Sequence, residues 1–533
     1  MTMCEHERIS NPGVRGWDRF AALTLLALAA VTLVKAQDAG QVDVAQKVAQ
    51  LTDAMTRAQE QLERTQRDLA EMHRQLIELQ REMAANGTLV SAVPAAAASS
   101  SASAAAVAKD SATSMMTAID DLRERQAMQE SEIATQEQTK VESESKYPVK
   151  VTGMLLMNGF KNTGAVDTAA TPSVAVGGSG NGGATVRQTV LGFDARGPHL
   201  FGARSFADLR VDFYGSQAAS APTTSYSGYL NTNSAFLRLR TAHAGLDWDR
   251  TQVFFALDHP IISPDTPTSL TATAVPALAW SGNLWTWNPQ AVFTQNFSSP
   301  GSIGLQLQAA LIDAGDAPLT PAVAPATAIN YVPPTSAEQS SKPGVEARIA
   351  LVGAGQDDAR MHVGAGGYFA EHNSALGRNY DSWASTLDAR MPLVARLELS
   401  GNFYRGAALG GLGAGAYKDF AYSPNPNTGG YYFRPLDDAG GWAQLKERAT
   451  QRLEFNAAYG MDNVVAGQLR RYYIQGGSMI QNLARNRTFT GNVIYSPSAY
   501  LLFSLEYRRL LSAPVEDEGA ASNVIGVGAG YRF

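Results

Sequence analysis

A single cysteine among 533 residues, Cys4, cannot form an internal disulfide or a zinc site built from several cysteines. Charge of one sign is also scarce. Forty-three Lys and Arg against 49 Asp and Glu leave a net charge of −6, which excludes a polybasic nucleic-acid surface and a strongly acidic tail. No nucleic-acid partner, metal or cofactor is therefore expected. A mean hydropathy of −0.16 excludes a bundle of several transmembrane helices. It leaves a membrane barrel open, because barrel strands alternate and dilute their apolar signal.

What is present begins with a leader. Arg8, Arg15 and Arg19 precede an uncharged apolar run over residues 20–34, too short to span a bilayer comfortably. Val34-Lys35-Ala36 follows as a cleavage site, making residues 1–36 a signal peptide and Gln37 the expected mature N-terminus. Cys4 lies before the apolar run, the wrong side for a lipoprotein.

Residues 37–87 carry a heptad repeat. One seam runs Val48, Met55, Leu62, Leu69, Leu76, Met83; the other runs Val44, Leu51, Ala58, Thr65, Met72, Leu79. Apolar residues at alternating steps of four and three, uninterrupted by Pro or Gly until Asn86-Gly87, predict a coiled-coil rod ~60 Å long. An Ala/Ser-rich linker (88–113) and a second, less regular helical segment (114–147) separate it from residues 148–533.

From residue 149 the period changes to two. In residues 204–214, Ala207, Leu209, Val211 and Phe213 alternate with Phe206, Asp208, Arg210, Asp212 and Tyr214. The pattern recurs in residues 345–351, 395–403 and 501–507. It closes the chain with Ile525, Val527, Ala529, Tyr531 and Phe533 on one face and Gly526, Gly528, Gly530 and Arg532 on the other. A soluble β-sandwich alternates too. Here, however, short turns, such as Gly197-Pro198, Ser299-Pro300-Gly301, Met391-Pro392 and Ser496-Pro497-Ser498, alternate with long polar connections. That asymmetry and a count of about sixteen strands predict an all-β transmembrane barrel of antiparallel strands with a water-filled lumen.

Leader, rod, alternating strands and a terminal aromatic together resemble Gram-negative outer-membrane porins, and among them the DcaP-like porins, which carry a coiled coil before a trimeric barrel. The resemblance implies an outer-membrane location with the rod in the periplasm and a homo-oligomer, as a trimer, in contact with outer-membrane lipid. It implies passive diffusion of small hydrophilic solutes, and it makes Phe533 the residue read by the barrel-assembly machinery. It also implies that the third long connection, residues 258–288, folds inward as a constriction carrying Asp258, His259 and Asp265.

If the apolar face meets lipid, the other lines water. The expected pore-lining residues are Arg196, Arg210, Arg238, Arg240, Arg348, Arg360, Arg390 and Arg396, with Asp208, Asp212, Glu346 and Glu398. A slight excess of arginine, whose fork suits carboxylates, points to small anions. The alternative is that arginines and acids on neighbouring strands neutralise one another. Two other functions compete. A hydrolase would need a histidine near a serine at the wall, yet no histidine lies in a recognisable hydrolase context. A barrel that mainly tethers the envelope would need a wall-binding segment, and none is recognisable. No catalytic residues are assigned.

The seam carries a direct test. Replacing Leu62, Leu69 and Leu76 with Asp puts charge into the apolar stripe. Residues 37–87 should then sediment as a monomer, whereas the wild-type segment sediments as an oligomer. A wild-type segment that is monomeric at high concentration would refute the rod.

Overall fold

The computed structural model describes residues 149–215, 236–297, 303–321, 333–353 and 361–533. The leader, rod, linker and second helical segment, the Ser299-Pro300-Gly301 turn and Arg360 lie outside the described residues.

Among the described residues nineteen strands follow in chain order: β1 (Val149–Val166), β2 (Ala175–Thr185), β3 (Val190–Leu200), β4 (Ala203–Gly215), β5 (Phe236–Asp247), β6 (Thr251–Asp258), β7 (Asn288–Phe297), β8 (Gly304–Ile312), β9 (Gly344–Val352) and β10 (His362–Ser374). After these come β11 (Arg378–Val394), β12 (Leu397–Ala407), β13 (Phe420–Pro424), β14 (Tyr431–Pro435), β15 (Asp437–Arg448), β16 (Leu453–Val464), β17 (Leu483–Tyr495), β18 (Leu501–Pro514) and β19 (Ala520–Arg532). β13 and β14 form a separate hairpin. β2 and β3 share one edge of β1, pairing at Asn158↔Thr185 and Met154↔Val190, so they act as a single stave interrupted at residues 186–189. The remaining chain makes sixteen staves, each antiparallel to the next. β19 pairs back onto β1 from Met154↔Arg532 to Asn162↔Val524 and closes the barrel.

The faces are inverted relative to a water-soluble sheet. In β9, Val345, Ile349 and Leu351 are exposed, whereas Glu346 and Arg348 are buried. In β18, Leu505 is 58% exposed and Glu506 only 1%. An outer wall of Phe255, Leu387, Phe403, Leu505 and Val527 around a polar interior is what a hydrocarbon solvent selects. No helix among the described residues is long and apolar enough to cross a membrane. The strands do the crossing, and closure satisfies their backbone without water.

Connections divide by rim. Residues 201–202, 248–250, 395–396, 449–452 and 496–500 make short turns at the rim where β1 starts and β19 ends. At the opposite rim, residues 259–287, 313–343, 408–436 and 465–482 make long ones, whereas 515–519 and the tight 375–377 turn, which Gly377 enters at φ +69°, are short.

Two expected turns are misplaced: Gly197 and Pro198 lie within β3, across a register shift between Arg196 and His199, and the chain reverses at residues 201–202. Met391 and Pro392 do not end a strand: they pair with Leu399 and Glu398, and the chain reverses at residues 395–396. Proline withholds one ladder donor, and the strand answers with a register shift between Pro392 and Val394 instead of stopping.

Because the outer face meets lipid, Leu505→Arg, about half-way up β18, should lower unfolding free energy by about 2–4 kcal/mol in a bilayer. Thr490→Ser on the inner face should leave it nearly unchanged. Reversible guanidinium unfolding of vesicle-inserted protein, read by tryptophan fluorescence, would check both.

Candidate functional site

The lumen is crossed by the connection between β6 and β7. Its entry is tied to the wall by His243, whose ring nitrogens lie 2.9 Å from both Asp208 and Asp258. The backbone N–H of His259 donates to Asp258 at 2.7 Å. From there the segment is held from several sides. Glu346 of β9 accepts from the Ile261 N–H at 2.9 Å, and Asn402 of β12 donates to the Ile262 carbonyl at 3.0 Å. Gln444 of β15 accepts from the Thr268 N–H at 2.7 Å, and Asn492 of β17 donates to the Thr268 carbonyl at 2.8 Å. Ser269 donates to Glu506 at 2.5 Å, and Asn158 of β1 donates to the Leu270 carbonyl at 2.9 Å. Asp265 meets Arg390 at 2.6 Å and His362 at 3.0 Å.

Inward-facing glycines give this segment room. A Cβ on Gly460 would lie 2.1 Å from the Ser281 carbonyl oxygen, and one on Gly366 would lie 2.7 Å from the Ile262 side chain. Leu270 and Thr271 lie against Gly528 and Gly526. The glycine face of the last strand is thus a seat for the loop.

A second segment, residues 408–419 between β12 and β13, also turns inward. Trp280 stacks on Tyr417 at 4.1 Å, and Trp285 donates its backbone N–H to Leu412 at 3.1 Å. Asp438 and Asp462, both fully buried on the wall, accept from the backbone N–H groups of Gly415 (2.8 Å) and Ala416 (2.7 Å). Lys418 donates to the carbonyls of Ala416, Ile480 and Leu483. Leu278, Trp280, Ala416 and Tyr417 all take positive φ, so the junction of the two loops concentrates backbone strain.

Below the loops, toward the short-turn rim, a cavity of about 800 Å³ remains. Its charged lining side chains are Lys150, Arg210, Arg240 and Arg532; His259 also lines it, and no Asp or Glu does. Burial and the neighbouring Asp258 and Arg240 act on His259, and the net effect lowers its pKa, so the ring adds no charge at neutral pH. Arg240 owes its position to a bulge. Val211 pairs with Leu239 and Arg210 with Thr241, leaving Arg240 as the extra residue. Its guanidinium sits 5.2 Å over Trp287 and 3.7 Å from Asp212.

The expected lining residues separate into three groups. Arg210 pairs with Asp194 (2.6 Å), Arg238 with Asp212 (2.5 Å), Arg348 with Asp388 (2.5 Å) and Arg390 with Asp265, so most inner arginines are matched to an acid. Glu398 lies 3.8 Å from Arg448 near the short-turn rim. Arg196 lies exposed near the end of β3 at the short-turn rim. Arg396 is not on the lumen wall: it occupies the exposed 395–396 turn and donates to the Ala449 carbonyl at 3.0 Å. The slipped turn at Pro392 is the reason. Trp442 is buried inside against Leu278 and Ala458. Phe533 pairs its backbone with Gly153 at 2.9 and 3.1 Å and lays its ring where a Cβ on Gly153 would stand.

Among solved structures the chain is similar to the outer-membrane channel DcaP of Acinetobacter baumannii, with a TM-score of 0.50 and 16% identity over 73% of this chain and 99% of that one. The chain has the fold of that channel. It is also similar to an anion-selective porin from Comamonas acidovorans, at a TM-score of 0.44 and 11% identity over 73% of this chain and all of that one. No protein-family model matches the chain. No curated protein matches it in sequence.

Sequence reasoning missed the neutral amides. Asn158, Gln188, Asn402, Gln444, Asn486 and Asn492 hold the inward segments, and their signal was available: each falls on the inner face of a stave or beside one. The Arg348–Asp388 pair offers a quantitative check. Arg348→Ala strands a buried carboxylate and should destabilise the barrel by ~3–5 kcal/mol, whereas Arg348→Met with Asp388→Leu should restore most of the loss. Chemical denaturation of the two variants decides it.

Proposed function

We propose that the protein is a non-enzymatic outer-membrane porin that passes small hydrophilic solutes and favours anions. The inverted barrel supports a membrane location, and the polar lumen supports a water-filled path. The cavity supports the preference: Lys150, Arg210, Arg240 and Arg532 line it and no Asp or Glu does, although Arg210 is paired with Asp194 and Arg240 lies 3.7 Å from Asp212. The cations placed farther inside are paired with acids and add little net field. Small carboxylates suit these groups because a guanidinium fork holds two oxygens. In this reading the oligomer is a trimer, Phe533 is the assembly signal, and the rod stands in the periplasm.

The histidines support the same reading against a hydrolase. His243 lies between two carboxylates, His362 faces Asp265 and Asp388, and His372 stacks on Tyr380 at 5.0 Å.

The test is the reversal potential across a planar bilayer under a salt gradient. Wild type should favour anions at low salt and lose the preference near 1 M, where the screening length falls to about 3 Å. Replacing Lys150, Arg240 and Arg532 with Gln should move the potential toward cations. Arg390→Gln, which leaves Asp265 without its arginine partner, should also move it toward cations. A wild-type channel that strongly favours cations would reject the anion preference.

A further inference from the structure

The outer wall carries a cluster of charge that the lumen does not explain. On the lipid-facing side of β17 and β18, near the long-loop rim, stand Arg485, Arg487 and Arg509. Register brings them together. Arg487 pairs with Leu511 and Arg509 with Phe489, so Arg487 and Arg509 are diagonal neighbours about 7–8 Å apart. Arg485 follows Arg487 on the same face of β17, opposite Ala513.

Among the described residues no carboxylate answers them from the wall. The outward residues of the flanking strands are Tyr459, Met461 and Asn463 on β16, and Ala521, Asn523 and Ile525 on β19. Among the described residues Arg485 meets the neutral Asn463, at 2.7 Å. The Arg487 Nε is buried without a hydrogen-bond partner among the described residues. On the turn above, Glu516 is engaged by Arg470 at 2.8 Å, Asp517 by Tyr473 and Asn482, and Glu518 is exposed to solvent. Like charges at this spacing repel, and arginines facing hydrocarbon are costly near mid-membrane.

Their height relieves the second cost. Eight residues of tilted strand put Arg509 about 20 Å above the Leu501 end of β18. The exposed rings of Tyr495, Tyr500 and Tyr531 mark the lower boundary, and those of Tyr459, Phe489 and Tyr507 lie just beneath the arginines. The guanidiniums therefore stand at the level of head groups, with apolar wall below them for acyl chains.

We propose that this face binds the phosphates of an acylated, phosphorylated glycolipid of the outer leaflet, one lipid spanning β17 and β18. The inference rests on the outer-membrane reading above. Three forked donors match the oxygens of a phosphomonoester, and binding would neutralise the mutual repulsion.

The experiment uses the full-length protein, delipidated in detergent. Retention of bis-phosphorylated lipid A is compared with that of the same lipid dephosphorylated, by native mass spectrometry, with inorganic phosphate as a separate competitor. Wild type should retain the phosphorylated lipid in preference. The triple variant R485Q/R487Q/R509Q should bind it about tenfold more weakly, through lost charge-assisted contacts. R378Q, at the same rim on β11, should bind as wild type does. Where the triple variant fails to fold, R509Q alone and the wild-type preference between the two lipids still decide. Equal retention of the two lipids overturns the proposal, as does displacement by millimolar inorganic phosphate. So does a triple variant that loses its oligomer while its lipid preference is unchanged, since the face would then be a contact between copies. Conductance is recorded on the same preparation: a conducting channel indifferent to lipid phosphate sinks this inference alone.

Discussion

The pairing of β19 with β1 sets the terms for the rest of the molecule. An open sheet would present two rows of unpaired N–H and C=O groups to hydrocarbon, each costing several kcal/mol. Closure removes both rows. It fixes the register from Met154↔Arg532 to Asn162↔Val524, and with it which residues of every stave face outward. A slip of one residue would turn Leu505 inward and Glu506 into lipid. The tight approach of the Phe533 ring to Gly153 lies at this seam, so the last side chain of the sequence belongs to the closure.

A closed wall creates a second difficulty, because a segment that enters the lumen brings its own backbone polar groups. In this chain neutral amides answer them. Asn158, Asn402, Asn492 and Asn486 donate to loop carbonyls, and Gln444 accepts from a loop N–H. A neutral amide does this without the desolvation penalty of an ion. Ionisable groups are used inside in two ways: Arg348 and Asp388 pair at 2.5–2.9 Å, whereas Glu346, Asp438 and Asp462 accept from loop N–H groups.

Legibility in the sequence follows from these two conditions. The barrel was readable because lipid imposes a strict period of two, and Glu346, Arg348 and Glu506 fall on the inner face that period assigns them. The inward segment at residues 258–288 was reached through a family resemblance, since periodicity says nothing about a loop. Three features escaped for local reasons. Pro392 was read as a turn because proline usually ends a ladder, yet a register shift absorbed it. The bulge at Arg240 breaks the period without a glycine to announce it. The role of Gly526 and Gly528 depends on Thr271 and Leu270, some 250 residues earlier, and no local pattern carries that contact.

The distribution of partners also determines where selectivity can arise. A matched pair such as Arg238–Asp212 presents a dipole whose field dies within a few ångströms, whereas an unmatched cation acts over a screening length of about 8–10 Å. The inner wall consists largely of matched pairs, so its count of arginines is a poor guide to the potential along the path. Lys150 and Arg532 line the cavity toward the short-turn rim with no Asp or Glu in its lining, whereas Arg240, which lines it too, lies 3.7 Å from Asp212. On the reading proposed above, a few positions near one mouth set the selectivity, and the charges deeper inside hold the wall and its inward loops together.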